Sequence, residues 1–123
     1  MADSGFTQAI LSRLDALAAL TDLPGEITRL YLSPAHRRAA DLVTRWMREA
    51  GMNVEATPLG DVVGRYEGAA PDAAKLVIGS HIDTVRNAGR YDGNLGVLVG
   101  IAIVGKIVQL VLRAIGRSLN RWD

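Results

Sequence analysis

His81 and Asp83 stand two residues apart in the stretch Leu76 to Gly96, LVIGSHIDTVRNAGRYDGNLG, and Asp92 follows in the same stretch. On an extended backbone, side chains two apart share a face, so this imidazole and this carboxylate are expected to point the same way. That is the pattern of a metal-binding histidine oriented by an acid. Zinc and related ions take imidazole nitrogen and carboxylate oxygen at about 2.0–2.2 Å, and a ligating histidine commonly gives its other N–H to an acceptor that fixes its tautomer. Asp83 suits the orienting role and Asp92 suits a direct ligand. An acid bridging two ions about 3.5–4 Å apart would hold a water and a carbonyl oxygen together. The plain alternative is a surface His-x-Asp pair followed by an ordinary Asp92-Gly93 turn.

Two elements have to bring these groups together. Leu76, Val77 and Ile78 read as a short buried strand, Lys75 to Ser80, that ends at His81. A loop rich in Gly, Asn and Arg then delivers Asp92 just before Gly93-Asn94, where a long apolar helix is expected to begin. Upstream, Phe6, Ile10, Leu11, Leu14, Leu17 and Ala18 recur at helical spacing, and Pro24-Gly25 marks a turn after them. Ser33-Pro34 is a good helix start, and Ala39, Leu42, Val43, Trp46, Met47 and Ala50 make an apolar stripe that stops at Gly51. Met52, Val54 and Ala56 alternate with polar residues as a half-wet strand, and Gly60-Asp61 turns the chain into a second strand, Val62 to Glu67. Gly68 to Ala74 is loop by composition. The order helix, strand, strand, strand, helix predicts an α/β fold, with helices packed on a small mixed sheet.

Composition sets outer bounds. The chain has 123 residues, 49% of them apolar, which suits one small core. A net charge of +1 gives no field for nucleic acid or an anionic membrane. There is no cysteine, so any metal has to be held by His, Asp and Glu. The opening MADSGFTQ lacks a basic region followed by an apolar run, and a cytoplasmic protein is expected.

The string GSHIDTV followed by GRYDGNLGV resembles the dinuclear-metal amidohydrolases related to the zinc exopeptidases, above all the N-carbamoyl-L-amino acid hydrolases and allantoate amidohydrolases. TRLYLSP, WMREAGM and VVGRYEG extend the likeness over roughly Glu26 to Ile101. The resemblance implies that His81 is a ligand of one metal, that Asp83 is the catalytic-site acid orienting it, and that Asp92 bridges both ions. It implies two divalent ions (zinc, or manganese, cobalt or nickel) and a small amide or ureido substrate. In that family an asparagine usually stands at position 61 and an acid near position 57, whereas this chain has Asp61 and Thr57.

On this basis residues 1–25 form an N-terminal helix and turn, 26–101 a family-like core, and 102–123 a divergent helix, together one partial catalytic domain. The resembled enzymes are several times longer, with a Glu-Glu pair, further histidine ligands and a lid domain that also makes the dimer. No adjacent Glu-Glu occurs here, and His36 is the only other histidine. The expectation is therefore an N-terminal piece, from truncation or a frameshift near Ile103, that binds metal weakly and is inactive alone. Two other readings stay open: a non-catalytic remnant or interaction module, and a membrane-associated protein anchored by the apolar run Leu95 to Leu112, with Gly96 and Gly100 at small-xxx-small spacing. Arg86, Asn87 and Arg90 are weak candidates for a substrate carboxylate. A surface or capping role is expected for His36, a local ion pair for Glu26 and Arg29, loop solvation for the arginines of the site, no nucleophilic role for Ser80, and a solvated basic face for Arg113, Arg117 and Arg121.

Overall fold

The helical spacing of the first residues becomes α1 (Ser4–Ala18), which buries Leu14 and Leu17 completely and packs Ile10 and Leu11 beside them. The computed structural model describes residues 4–119, and the remaining elements are α2 (Pro34–Glu49), β1 (Asn53–Ala56), β2 (Val62–Arg65) and α3 (Asn94–Leu119). Leu14, Leu17, Ala39, Val43, Trp46, Met52, Leu98 and Ile101 form one core drawn from all three helices and the entry to β1. Each large apolar side chain buried there contributes at most about 1.5–3 kcal/mol. Phe6, expected on the same stripe, is instead 52% exposed.

Both ends of α2 follow from local chemistry. The Ser33 hydroxyl accepts the His36 N–H at 3.1 Å, and Pro34 occupies the first turn, where a missing N–H is harmless. At the other end Gly51 adopts φ 90°, its N–H bonds the Arg48 carbonyl, and the Met52 N–H bonds the Met47 carbonyl. This left-handed closure turns Met52 into the core.

Between α1 and α2 the Asp22 carboxylate accepts the N–H groups of Leu30 and Ala35, both at 3.1 Å. A hydrogen bond from Ser33 is the main reason its pKa lies below the ordinary 3.8, with these two N–H groups and Arg38 adding to it against a desolvation effect of opposite sign. A carboxyl with a depressed native pKa binds fewer protons folded than unfolded, so its contribution is complete above the ordinary value and is lost as pH falls through the native one. Asp22→Asn is expected to lower the melting temperature at neutral pH and to flatten its decline on acidification. Melting curves from neutral to strongly acid pH check this, and parallel acid limbs for both proteins would rule it out.

β1 and β2 pair antiparallel with Val54 opposite Gly64 and Ala56 opposite Val62, and the hairpin packs on α2. Its turn is closed by the two positions that depart from the family pattern: the Thr57 hydroxyl donates to the Asp61 carboxylate at 3.2 Å, and the Thr57 N–H bonds the Asp61 carbonyl at 2.8 Å.

The third predicted strand is not formed. Lys75 to Ser80 is irregular, and Leu76 and Val77 are 80% and 87% exposed, where a buried strand was expected. A strand exists only when its N–H and C=O groups find a neighbouring strand. Among the described residues none pairs with this segment, because the hairpin is turned towards α2. The sheet is accordingly two-stranded and antiparallel rather than mixed. The segment crosses α3 at Gly96 and Gly100, where a Cβ would come within 2.6 Å of Ser80 Oγ and 3.2 Å of Ile78 Cγ2. The small residues therefore admit this segment, not a second membrane helix. Among the described residues no helix is long and apolar enough to cross a membrane, and the side chains of the last part of the run 95–112 lie outside what is described. Arg121 and the side chains of Arg113 and Arg117 lie outside what is described.

Candidate functional site

His81 sits where the irregular segment meets the start of α3. Its Nδ1 is 2.8 Å from the main-chain carbonyl of Asp83 and 3.5 Å from the Asp83 carboxylate. A carbonyl can only accept, so Nδ1 carries the proton in the neutral ring, and Nε2 presents its lone pair. That nitrogen faces Asp92, with Oδ1 at 3.7 Å. The side chains of His81, Asp83 and Asp92 are 51%, 47% and 50% exposed, so the cluster is open to water. The orienting contact expected from the Asp83 carboxylate is made more closely by its backbone.

The close approach depends on Gly93. It adopts φ 69°, and a Cβ there would lie 2.6 Å from His81 Nδ1 and closer still to the His81 carbonyl. The Ser80 hydroxyl donates to the Gly93 carbonyl at 2.8 Å, which ties the other side of the segment to the same turn and commits that oxygen to structure.

Arg29 is the residue that sequence reasoning misjudged. An ion pair with Glu26 was expected, but Glu26 accepts from the Thr28 hydroxyl at 2.8 Å, whereas Arg29 is fully buried. Its guanidinium donates to the carbonyls of Leu17, Leu20 and Ile82, each at 2.7 Å, and to Asn94 Oδ1 at 2.8 Å. Its backbone exchanges bonds with Thr84, whose hydroxyl accepts the Arg29 N–H and whose N–H bonds the Arg29 carbonyl, both at 2.8 Å. Burial lowers the guanidinium pKa, while the charges of Asp22 and Asp83 raise it. The carbonyls at the end of α1 carry the negative end of the helix dipole, which offsets part of the desolvation. No residue spacing announces such a cation, because TRLYL reads like a segment with its arginine in water.

The remaining candidates fall elsewhere. Arg90 is bound to Asp15 at 2.6 Å and to the Tyr91 hydroxyl at 2.8 Å, so it fastens the Asp92 loop to α1 rather than only being solvated. Arg86 is exposed, 3.9 Å from Glu26, and the Asn87 N–H bonds the Thr28 hydroxyl. His36 is buried, not on the surface, and meets the Tyr31 ring edge-on at 5.5 Å.

His81 Nε2 and Asp92 Oδ1 fit one divalent ion, since two ligand arms of about 2.1 Å each can span their separation. Among the described residues no group of three or more His, Cys, Asp or Glu side chains could hold an ion. Two donors converge, fewer than the three of a catalytic zinc.

The structure of a hydantoinase/carbamoylase family amidase from Burkholderia ambifaria matches this chain with a TM-score of 0.75 and 36% identity, over 84% of this chain and 26% of that one. Over the matched residues the chain belongs to the hydantoinase/carbamoylase family of amidohydrolases. Among curated proteins it is 51% identical over 83 residues to an N-carbamoyl-L-amino-acid amidohydrolase of Pseudomonas sp. (strain NS671), and 43% identical over 94 residues to allantoate deiminase 1 of Glycine max. These matches cover 68% and 76% of this chain, which spans about a fifth of either relative, 20% in each case. No protein-family model matches.

Proposed function

We propose that this chain carries the first ligand-bearing segment of a metal-dependent amidohydrolase that hydrolyses linear C–N bonds in N-carbamoyl amino acids or ureido compounds such as allantoate. The observation that carries the reading is the facing of His81 Nε2 and Asp92 Oδ1 across 3.7 Å, in an open cluster. His81 and Asp92 would hold a divalent ion, with Asp92 free to bridge to a second. The ions, when bound, supply an acidified water and a polarised carbonyl. The chain's own residues do the preparatory work: the Asp83 carbonyl keeps the proton on His81 Nδ1, and Gly93 lets the ring lie against the Asp92 turn. A general-base glutamate is expected from outside this segment, so the chain alone is expected to bind metal weakly and to hydrolyse nothing detectable. Cytoplasmic residence is part of this proposal.

Zinc titration of the whole chain by calorimetry tests the reading. Uptake is expected, weakened at least about tenfold by His81→Ala and by Asp92→Asn. Equal affinity in all three proteins, or none in the parent chain, would sink it. The second reading, a retained fold with an idle site, draws on the same shortage of donors and is what the latter outcome would favour.

A further inference from the structure

His81 and Asp92 are carried by two separate pieces of chain, and one buried side chain is bonded to both pieces. Arg29 Nε donates to the Ile82 carbonyl, the peptide between His81 and Asp83, at 2.7 Å. Its Nη2 donates at 2.8 Å to Asn94, the first residue of α3 and two positions past Asp92. Its Nη1 is anchored on the carbonyls of Leu17 and Leu20. We propose that Arg29 is a positioning residue of this site: by gripping the Ile82 carbonyl and Asn94 with one rigid fork, it sets how far His81 Nε2 stands from Asp92. The inference rests on reading His81 and Asp92 as ligands.

The chemistry favours arginine for this task. A guanidinium is planar and holds its donors at fixed angles, so two acceptors bound to it cannot drift independently. Arg29 and Asn94 are completely buried, and Thr84, which bonds the Arg29 backbone, is 7% exposed, so water does not compete for these bonds. The outer tie between the two pieces, from Ser80 to Gly93, is by contrast exposed. Arg29 also brings a buried positive charge near Asp83. Lysine would keep the charge but has no donor at the Nε position, so the Ile82 carbonyl would lose its partner.

The test uses the whole chain with 15N-labelled histidine, in the parent form and as Arg29→Lys and Asn94→Ala, with His36 as internal reference. Without metal, the ring nitrogen shifts report which nitrogen of His81 is protonated. The parent chain is expected to show the Nδ1–H form, Arg29→Lys a mixture of tautomers, and Asn94→Ala the parent form, since Ile82 stays held. Zinc affinity is expected to fall about 10–100-fold in both variants while the far-ultraviolet circular dichroism is unchanged. Unaltered tautomer and unaltered zinc affinity in Arg29→Lys, with only a lowered melting temperature, would show a merely structural residue and overturn the proposal. If Arg29→Lys fails to fold, a folded Asn94→Ala that binds zinc like the parent overturns it equally. Absence of zinc uptake by the parent chain would refute the ligand reading, and the tautomer comparison would still decide the role of Arg29.

Discussion

Arg29→Met is expected to be among the most destabilising single substitutions in the protein, with a fall in melting temperature of about 10–20 °C. Methionine nearly matches the length of the side chain and is content in an apolar interior, so the loss is one of partners rather than of volume. The carbonyls of Leu17, Leu20 and Ile82 and the Asn94 amide oxygen all lose the donor they have in the buried guanidinium. Leaving a buried acceptor unpaired costs roughly 1–3 kcal/mol; the Leu17 carbonyl keeps the Leu20 N–H at 3.1 Å, and the three other losses in one network do not simply add. Part is offset because no charge has to be taken out of water. A net loss of about 4 kcal/mol or more is expected, a large share of the roughly 5–15 kcal/mol that holds a domain together. It corresponds to a fall in melting temperature of about 10–20 °C, read by circular dichroism. A shift of only about 2–3 °C, well under 1 kcal/mol, would mean that the network contributes little.

Gly93→Ala is expected to damage both the site and the fold. The φ of 69° at this position lies in the left-handed region, where an L-residue is disfavoured by about 1–2 kcal/mol. The added methyl group would also stand 2.6 Å from His81 Nδ1 and nearer still to the His81 main-chain oxygen. A backbone atom cannot rotate away, so either the Asp92 turn or the His81 segment has to shift. Overpacking of this kind adds about 1–3 kcal/mol, for a total of about 2–5 kcal/mol in urea unfolding. Displacing His81 from Asp92 is expected to abolish measurable zinc binding as well. Gly100→Ala is the control: the nearest obstacle there is Ile78 Cγ2 at 3.2 Å, on a side chain that can turn, so a smaller loss with retained zinc binding is expected. Equal effects at the two glycines would refute the backbone-contact argument.

The two ends of α2 and the β1–β2 hairpin were legible from the chain alone, because capping by Ser33, the left-handed Gly51 and the Gly60-Asp61 turn are satisfied by residues a few positions away. The start of α3 just after Asp92 was legible for the same reason. The motif GSHIDTV also marked the family, since side-chain chemistry at short spacing survives in the sequence whatever surrounds it. What needed tertiary structure was everything that depends on partners far along the chain. Leu76 to Ile78 has strand chemistry, but a strand also needs neighbours, and these three residues find none among the described ones. Arg29 looked like a surface cation until its acceptors, from Leu17 to Asn94, were gathered around it. Local bonding can be read from residue order, whereas burial is a property of what the rest of the molecule places nearby, and burial decided whether Val77 lay in a core and whether Arg29 lay in water.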